Sequence, residues 1–420
     1  MGNLKGLLAF RHGLIVLWVL AAVGVGIFAY LQPPLESPLW DMDVYRKAIA
    51  CVHRGGDPYA EGIARQQAFH NQTVRDANHP PMTYVYSPLT LCCLRVLGCI
   101  PEWFLGTLYL LALVGGYLAS VWAGWQMARP EEKRILALLL PMTIFFPGLL
   151  TDNVYLSGNV AYILFGMMLA ASVREWKHGR WGWFYVAVLV ASLCKAPLLS
   201  MLAFPVIVCR RQWGPAILSG AIGLSLFLFQ PLLWPVYFAE YLHAVKLQFD
   251  WNLDFGISPA GVLGRFLADY GDPCSSATTW FYLCFALLLG GTLLWLGYQV
   301  RENAEAWHSF LPVALMGTML LNPRVKEYDI AALTVPMMLI VWRQLKALVQ
   351  HWKVSHPRLL LVALVCLLEA GVNLLSVEIP GEWWKPCQMN LLLLVLATGI
   401  LRCTFRRQEG WMEASVSEAI

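Results

Sequence analysis

The sequence predicts an all-α integral membrane protein, a multispan helical bundle with short interfacial helices in its first outer loop. Three observations carry that reading. Hydrophobic residues make up 58% of the 420-residue chain and charged residues only 13%, about half the share usual in soluble domains. Apolar runs of membrane-spanning length recur from end to end, with short loops between them. Basic residues collect in alternate loops. The charge balance also excludes a class: 30 Lys+Arg against 26 Asp+Glu, net +4, is too slight to read nucleic acid through its phosphates. No repeat, low-complexity stretch or Gly/Ser linker divides the chain, so residues 1–420 are expected to form a single polytopic domain.

The elements follow in order. Leu14 to Tyr30, behind Lys5 and Arg11, has the charge and apolar core of a secretory signal. It is too long for one, and Leu31-Gln32-Pro33-Pro34 offers no small-residue cleavage site, so it reads as an uncleaved first span. Residues 33–85 form a hydrophilic outer loop. Within it Val44, Ala48, Ile49 and Val52 share a stripe at helical spacing, with Arg46, Lys47 and Arg54 elsewhere. That is the pattern of a helix lying along the membrane surface. Gly55-Gly56 ends it, and Asp57-Pro58-Tyr59 makes a turn. Segment 86–100 is apolar, yet a full crossing there would put Arg129 and Arg134 outside; either it only dips, or a later short span does not cross. Further spans are expected at 103–127, 135–150, 157–173, 182–194, 196–209, 214–235, 279–300, 307–321, 329–342, 358–376 and 388–401. The total is about twelve crossings, several shorter than the ~20 residues a perpendicular helix needs.

Sidedness follows from the basic loops. Lys5, Arg11, Arg129, Lys133, Arg134, Arg174, Lys177, Arg180, Arg210, Arg211, Arg301, Arg343, Lys346, Lys353, Arg358, Arg402, Arg406 and Arg407 share one face. The positive-inside rule makes that face the cytoplasm, together with both termini, in the cell membrane. The outer face then receives 33–85, 151–156, the Lys195 turn, a second large loop at 239–278, 322–328 and 377–387. Most of the eleven cysteines lie in or beside apolar runs, and none has zinc-ligand spacing. Cys51, Cys274 and Cys387 fall in outer loops, where a bridge between two of them stays open.

Polar residues at membrane depth are costly and need a reason, and the unusual ones converge on the outer face. Asp41 and Asp43 follow the first span, with Asp41 near a helix start that favours an ionised carboxylate. Asn159 opens an apolar helix. Lys195 sits between two short apolar runs, either snorkelling to the interface or pairing with an anion such as a lipid phosphate. Asn322-Pro323-Arg324-Val325-Lys326-Glu327-Tyr328-Asp329 packs four charges into one outer turn: a solvated turn, or a phosphate clamp held by ion pairs. The 239–278 loop adds Tyr241, Asp250, Trp251 and Asp254, a composition that also suits carbohydrate.

Asp41-Met42-Asp43-Val44-Tyr45, then Ala48, then Gly55-Gly56-Asp57-Pro58-Tyr59 resembles the first-loop signature of family 87 glycosyltransferases. Tyr86-Ser87-Pro88 resembles the family's Tyr-Pro-Pro, Ser157-Gly158-Asn159 its Gly-Gln-x-Asn turn, and Lys195-Ala196-Pro197 its Lys-x-x-Pro segment. Asn322-Pro323 through Tyr328-Asp329 resembles its Ser-Pro…Tyr/His turn before a late span. The departures are Ser87 for a proline, the missing glutamine beside Asn159, and Asn322 where serine is common; none removes a charged group.

The resemblance implies a C-type enzyme that moves a hexose, mannose by default, from a polyprenyl-phosphate donor to a lipid or glycan acceptor among the membrane lipids. Asp41 would be the general base, with Asp43 as the fallback. Lys195, Arg324 and Lys326 would face the leaving phosphate. Tyr45, Tyr59, Tyr86, Asn159, Tyr328 and Asp329 would line the substrate site. No cofactor or dedicated metal cage is implied, and a divalent cation bridging carboxylate and phosphate stays open. The rivals are a transporter or flippase of a lipid-linked sugar, and a polymerase or ligase of surface polysaccharide.

Overall fold

The computed structural model describes residues 39–71, 83–140, 157–252, 256–271, 276–300, 304–351 and 389–404, with scattered positions between 12 and 23 and residue 387. The expected span 358–376, most of 135–150, Asp254 and Cys274 lie outside the described residues. Among the described residues every regular element is helical.

The 33–85 stretch holds two helices, α1 (Trp40–His53) and α2 (Pro58–His70). The stretch read as a turn is also a helix start: Asp57 accepts the N–H groups of Tyr59 and Ala60 at 2.9 and 3.3 Å, with Pro58 in the first turn. Cys51 in α1 is a free thiol that donates to the Glu61 carboxylate at 2.9 Å. Cys387 is also free. The apolar segment 86–100 forms α3 (Pro88–Leu97) behind a Ser87 cap. Ten residues rise about 15 Å, half the hydrocarbon thickness, so α3 alone does not cross.

The bundle continues through α4 (Glu102–Met127), α5 (Pro130–Leu139), α6 (Ala161–His178) and α7 (Gly182–Cys194). A 3-10 segment, Ala196–Leu202, leads into α8 (Ala203–Val208), followed by α9 (Trp213–Leu228) and α10 (Gln230–Leu233). The described part of 239–278 is largely helical, containing part of α11 (Pro235–Asn252) and all of α12 (Pro259–Asp269). Next come α13 (Ser276–Val300), α14 (Ala304–Leu320), the single turn α15 (Glu327–Ile330) and α16 (Thr334–His351). The last described helix is α17 (Met389–Thr404).

Three helices among the described residues are long and apolar enough to cross a membrane: Trp103–Met127, Trp213–Leu233 and Ser276–Val300. Their outward faces stay bare. Leu111, Val114 and Leu118 on α4, and Leu287 and Leu288 on α13, are all exposed. A belt of that kind is unfavourable in water and is the expected outer surface in hydrocarbon. The chain is built as a membrane protein.

The main core gathers Phe165 and Met168 of α6, Phe310 and Met316 of α14, and Met337 of α16. Helices α4 and α6 meet backbone to backbone: a Cβ on Gly116 would strike the Tyr162 carbonyl, and one on Gly166 would strike Gly116 itself. Close approach of this sort is how membrane helices gain packing energy where lipid is as apolar as leucine. A second cluster, Tyr45, Tyr59, Ile63, Tyr84, Leu91, Ala244 and Leu247, joins α1, α2, α3 and α11. It ties the helices of the 33–85 stretch to the bundle.

Candidate active site

The site begins where α1 meets the turn before α6. Leu39, just ahead of α1, adopts a left-handed backbone at φ 65°, which a branched side chain rarely does. It packs against Gly158, itself at φ +65°, where an added Cβ would come within 2.7 Å of the Leu39 side chain. Any side chain there would be strained at that φ and would push Leu39 aside. The docking also satisfies a helix end, because the Asp41 N–H, free of any intrahelical partner, donates to the Ser157 carbonyl at 3.1 Å.

That contact fixes Asp41 beside Asn159, whose Nδ2 donates to the Asp41 carboxylate at 2.8 Å. The orientation of this amide is determined. Asn159 Oδ1 accepts the Ala161 N–H at 2.9 Å in the first turn of α6, so the donor end must face the carboxylate. Lys195 reaches the same oxygen with its Nζ at 3.4 Å.

Lys195 is placed by a helix break. It ends α7, with Pro197 in the first turn of the 3-10 segment that follows. A cation there complements the C-terminal end of the α7 dipole. The last turn of α7 is tied to α3, since Thr90 and Ser87 hydroxyls donate to the Leu193 carbonyl at 2.6 and 3.2 Å. The ammonium lies 3.1 Å from Asp329 Oδ1 and 4.4 Å from the centre of the Tyr328 ring. The other Asp329 oxygen accepts the Lys326 N–H at 2.9 Å, which closes the turn.

Aromatic hydroxyls surround this core. Tyr45 and Tyr86 share a hydrogen bond of 2.8 Å between their hydroxyls. Tyr59, fully buried, donates to the Tyr86 carbonyl at 2.7 Å and so braces the Tyr86 segment. Tyr109 of α4 donates to the Gly158 carbonyl at 2.5 Å. Burial raises the Asp41 carboxyl above its usual range, while the Asn159 amide and the charges of Lys195 and Lys326 pull it back down.

The expected residues divide accordingly. Asp41, Asn159, Lys195, Tyr328 and Asp329 share one connected cluster, with Tyr45 and Tyr86 beside it. Lys326 acts on Asp41 through its charge. Arg324 acts on Tyr241 and Tyr328 instead, and its N–H is held by Asn322 at 3.1 Å. Asp43 stands apart, pairing with Arg46 at 3.5 Å on a half-exposed face. Two residues along a helix is a rotation of about 200°, which turns Asp43 away from the Asp41 side. Sequence reasoning missed Tyr109, hidden in a long apolar run; Tyr84, legible as half of an interfacial aromatic pair with Tyr86, is instead buried, and its hydroxyl has no partner among the described residues. Among the described residues no three His, Cys, Asp or Glu side chains converge as a metal site.

No curated relative matches the chain. A family does: residues 84–323, more than half of the sequence, match glycosyltransferase family 87. The match contains Tyr86, Asn159 and Lys195, and hydrogen bonds connect Asp41 and Asp329, outside the matched stretch, to that same set. The chain is therefore a membrane-embedded member of glycosyltransferase family 87, an enzyme that transfers a sugar from a donor to an acceptor.

Proposed function

We propose that the protein moves a hexose, with mannose the first to test, from a polyprenyl-phosphate donor to a lipid or glycan acceptor at the outer face of the cell membrane. The supporting observation is the bridge of Asn159, which brings a carboxylate and an ammonium from distant parts of the chain to one amide. Asp41 takes the proton of the acceptor hydroxyl as that oxygen attacks the anomeric carbon. The bond from that carbon to the donor phosphate oxygen breaks, and its electron pair leaves on the phosphate. Lys195 and Lys326, with Arg324 nearby, offset the charge that develops there. Attack with a single carboxylate and no covalent intermediate inverts the anomeric centre. The distribution of basic loops supports an outward-facing site and cytoplasmic termini.

Membranes containing the protein, supplied with radiolabelled polyprenyl-phosphate mannose, are expected to form a labelled product. The Asp41→Asn variant is expected to form it at least about 100-fold more slowly. Label that changes leaflet without being transferred would favour the flippase, and transfer only of a preassembled glycan would favour a polymerase or ligase.

A further inference from the structure

Asp41 and Lys195 carry opposite charges and share one partner, yet the amide of Asn159 stands between them. Left to meet directly, they would form an ion pair. Such a pair would damp both groups: an opposite charge in contact lowers a carboxyl pKa by about 1–3 units and occupies the cation. Asn159 prevents this with its two ends. Its Nδ2 gives the carboxylate a neutral donor, and its Oδ1 gives the ammonium a neutral acceptor. The α6 N-terminus locks the amide in that sense through the Ala161 N–H, so the side chain cannot flip without losing the helix cap. Lys195 takes its full countercharge on the far side, from Asp329.

We propose that Asn159 is a positioning residue that holds Asp41 and Lys195 apart, keeping the carboxylate out of a direct ion pair and the ammonium available to the donor phosphate. This rests on the assignment of Asp41 as the base. The groups that act on Asp41 are Lys195, Lys326, Tyr45 of its own helix, Tyr86, Tyr109 and Tyr328. Of these, Asn159 separates only Lys195 from it by direct hydrogen bonds at both ends.

Two substitutions keep the α6 cap and change the spacer. Serine and aspartate both accept a helix N–H at such a position. Asn159→Ser removes the reach to Asp41 and lets Lys195 swing toward it. Loss of the amide alone would raise the Asp41 carboxyl, so a fall of the acid limb of the kcat/KM profile by about one pH unit reports the ammonium closing on it, with KM for the polyprenyl-phosphate donor rising several-fold. Asn159→Asp puts a second carboxylate against Asp41, and the acid limb is expected to rise by about one pH unit. If a variant turns over too slowly, the pH dependence of carbodiimide modification at Asp41, read by mass spectrometry, reports the same titration.

Limbs that stay put, or that move the same way in both variants, would overturn the spacer role and leave Asn159 as a helix cap alone. Failure of the underlying assignment shows elsewhere, as full turnover in Asp41→Asn.

Discussion

Two ion pairs, one buried and one partly open, occupy opposite ends of α4, and they are built differently. Tyr109 of α4 touches the Gly158 turn beside Lys195–Asp329, whereas Met127 touches Arg343 of the Arg343–Glu132 pair. Eighteen residues of helix set the ends about 27 Å apart. Arg343 grips Glu132 with two bonds of 2.7 and 2.6 Å and donates also to the His308 and Met127 carbonyls. Glu132 takes the Arg129 N–H at 2.9 Å besides, and both side chains are almost wholly buried, at 6% and 5% exposed. Lys195 is 19% exposed and meets Asp329 through a single contact of 3.1 Å. The planar guanidinium fork is committed to fixed partners, while the ammonium is a point charge on a flexible stem that can exchange one anion for another. The first arrangement suits a clamp and the second suits a substrate.

The comparison breaks or sharpens under substitution, beginning with the largest effect. Asp41→Asn is expected to lower kcat by about 10²–10⁴-fold while melting no lower than the parent. The sign follows from linkage. A carboxyl whose pKa is raised by folding holds its proton more tightly when folded, so its ionised form costs stability as pH rises through that range and stays costly at neutral pH. A neutral amide removes the cost, and a thermal scan beside the transfer assay checks both halves.

At the other end, Arg343→Ala strands a buried carboxylate and is expected to cost about 3–5 kcal/mol, read as lost thermal stability in detergent. The paired change Glu132→Gln with Arg343→Met should recover most of that loss, and if it does not, the clamp is more than an ion pair. Lys195→Ala leaves Asp329 its Lys326 N–H and, with the site partly open, is expected to cost less stability than Arg343→Ala while raising donor KM by about 10- to 100-fold, the worth of a charged hydrogen bond, with acceptor KM little changed. Equal damage to stability at both ends would erase the contrast. Asp43→Asn removes a half-exposed surface pair worth at most about 1 kcal/mol, and turnover should stay close to parental. Loss there, with activity retained in Asp41→Asn, would exchange the two carboxylates.

Much of this was legible in the chain. Long apolar runs announce their helices: 103–127 appears as Glu102–Met127, and 182–194 as Gly182–Cys194. Charges in apolar surroundings announce themselves too, which is why Asp41, Lys195 and Asp329 stand out before any coordinates. Partnership is harder to read. Arg343 looks like one more basic residue in a cytoplasmic loop, because the sidedness rule counts charges without seeing that Glu132 answers this one from 211 positions away. Tyr109 was invisible because an aromatic in a 26-residue apolar helix looks like lipid-facing bulk. The double-ended role of Asn159 depends on which way an amide points, and only the Ala161 N–H decides that.

The cluster has an implication for biosynthesis. Its members come from the first loop, the start of α6, the end of α7 and the turn before α16, so a ribosome delivers them one after another. Until the stretch bearing Asp329 has left the exit tunnel, Lys195 lacks the carboxylate it pairs with in the finished fold. A nascent chain released early would insert several spans without ever assembling the cluster. The set is completed late in translation, when most of the helices have already been made.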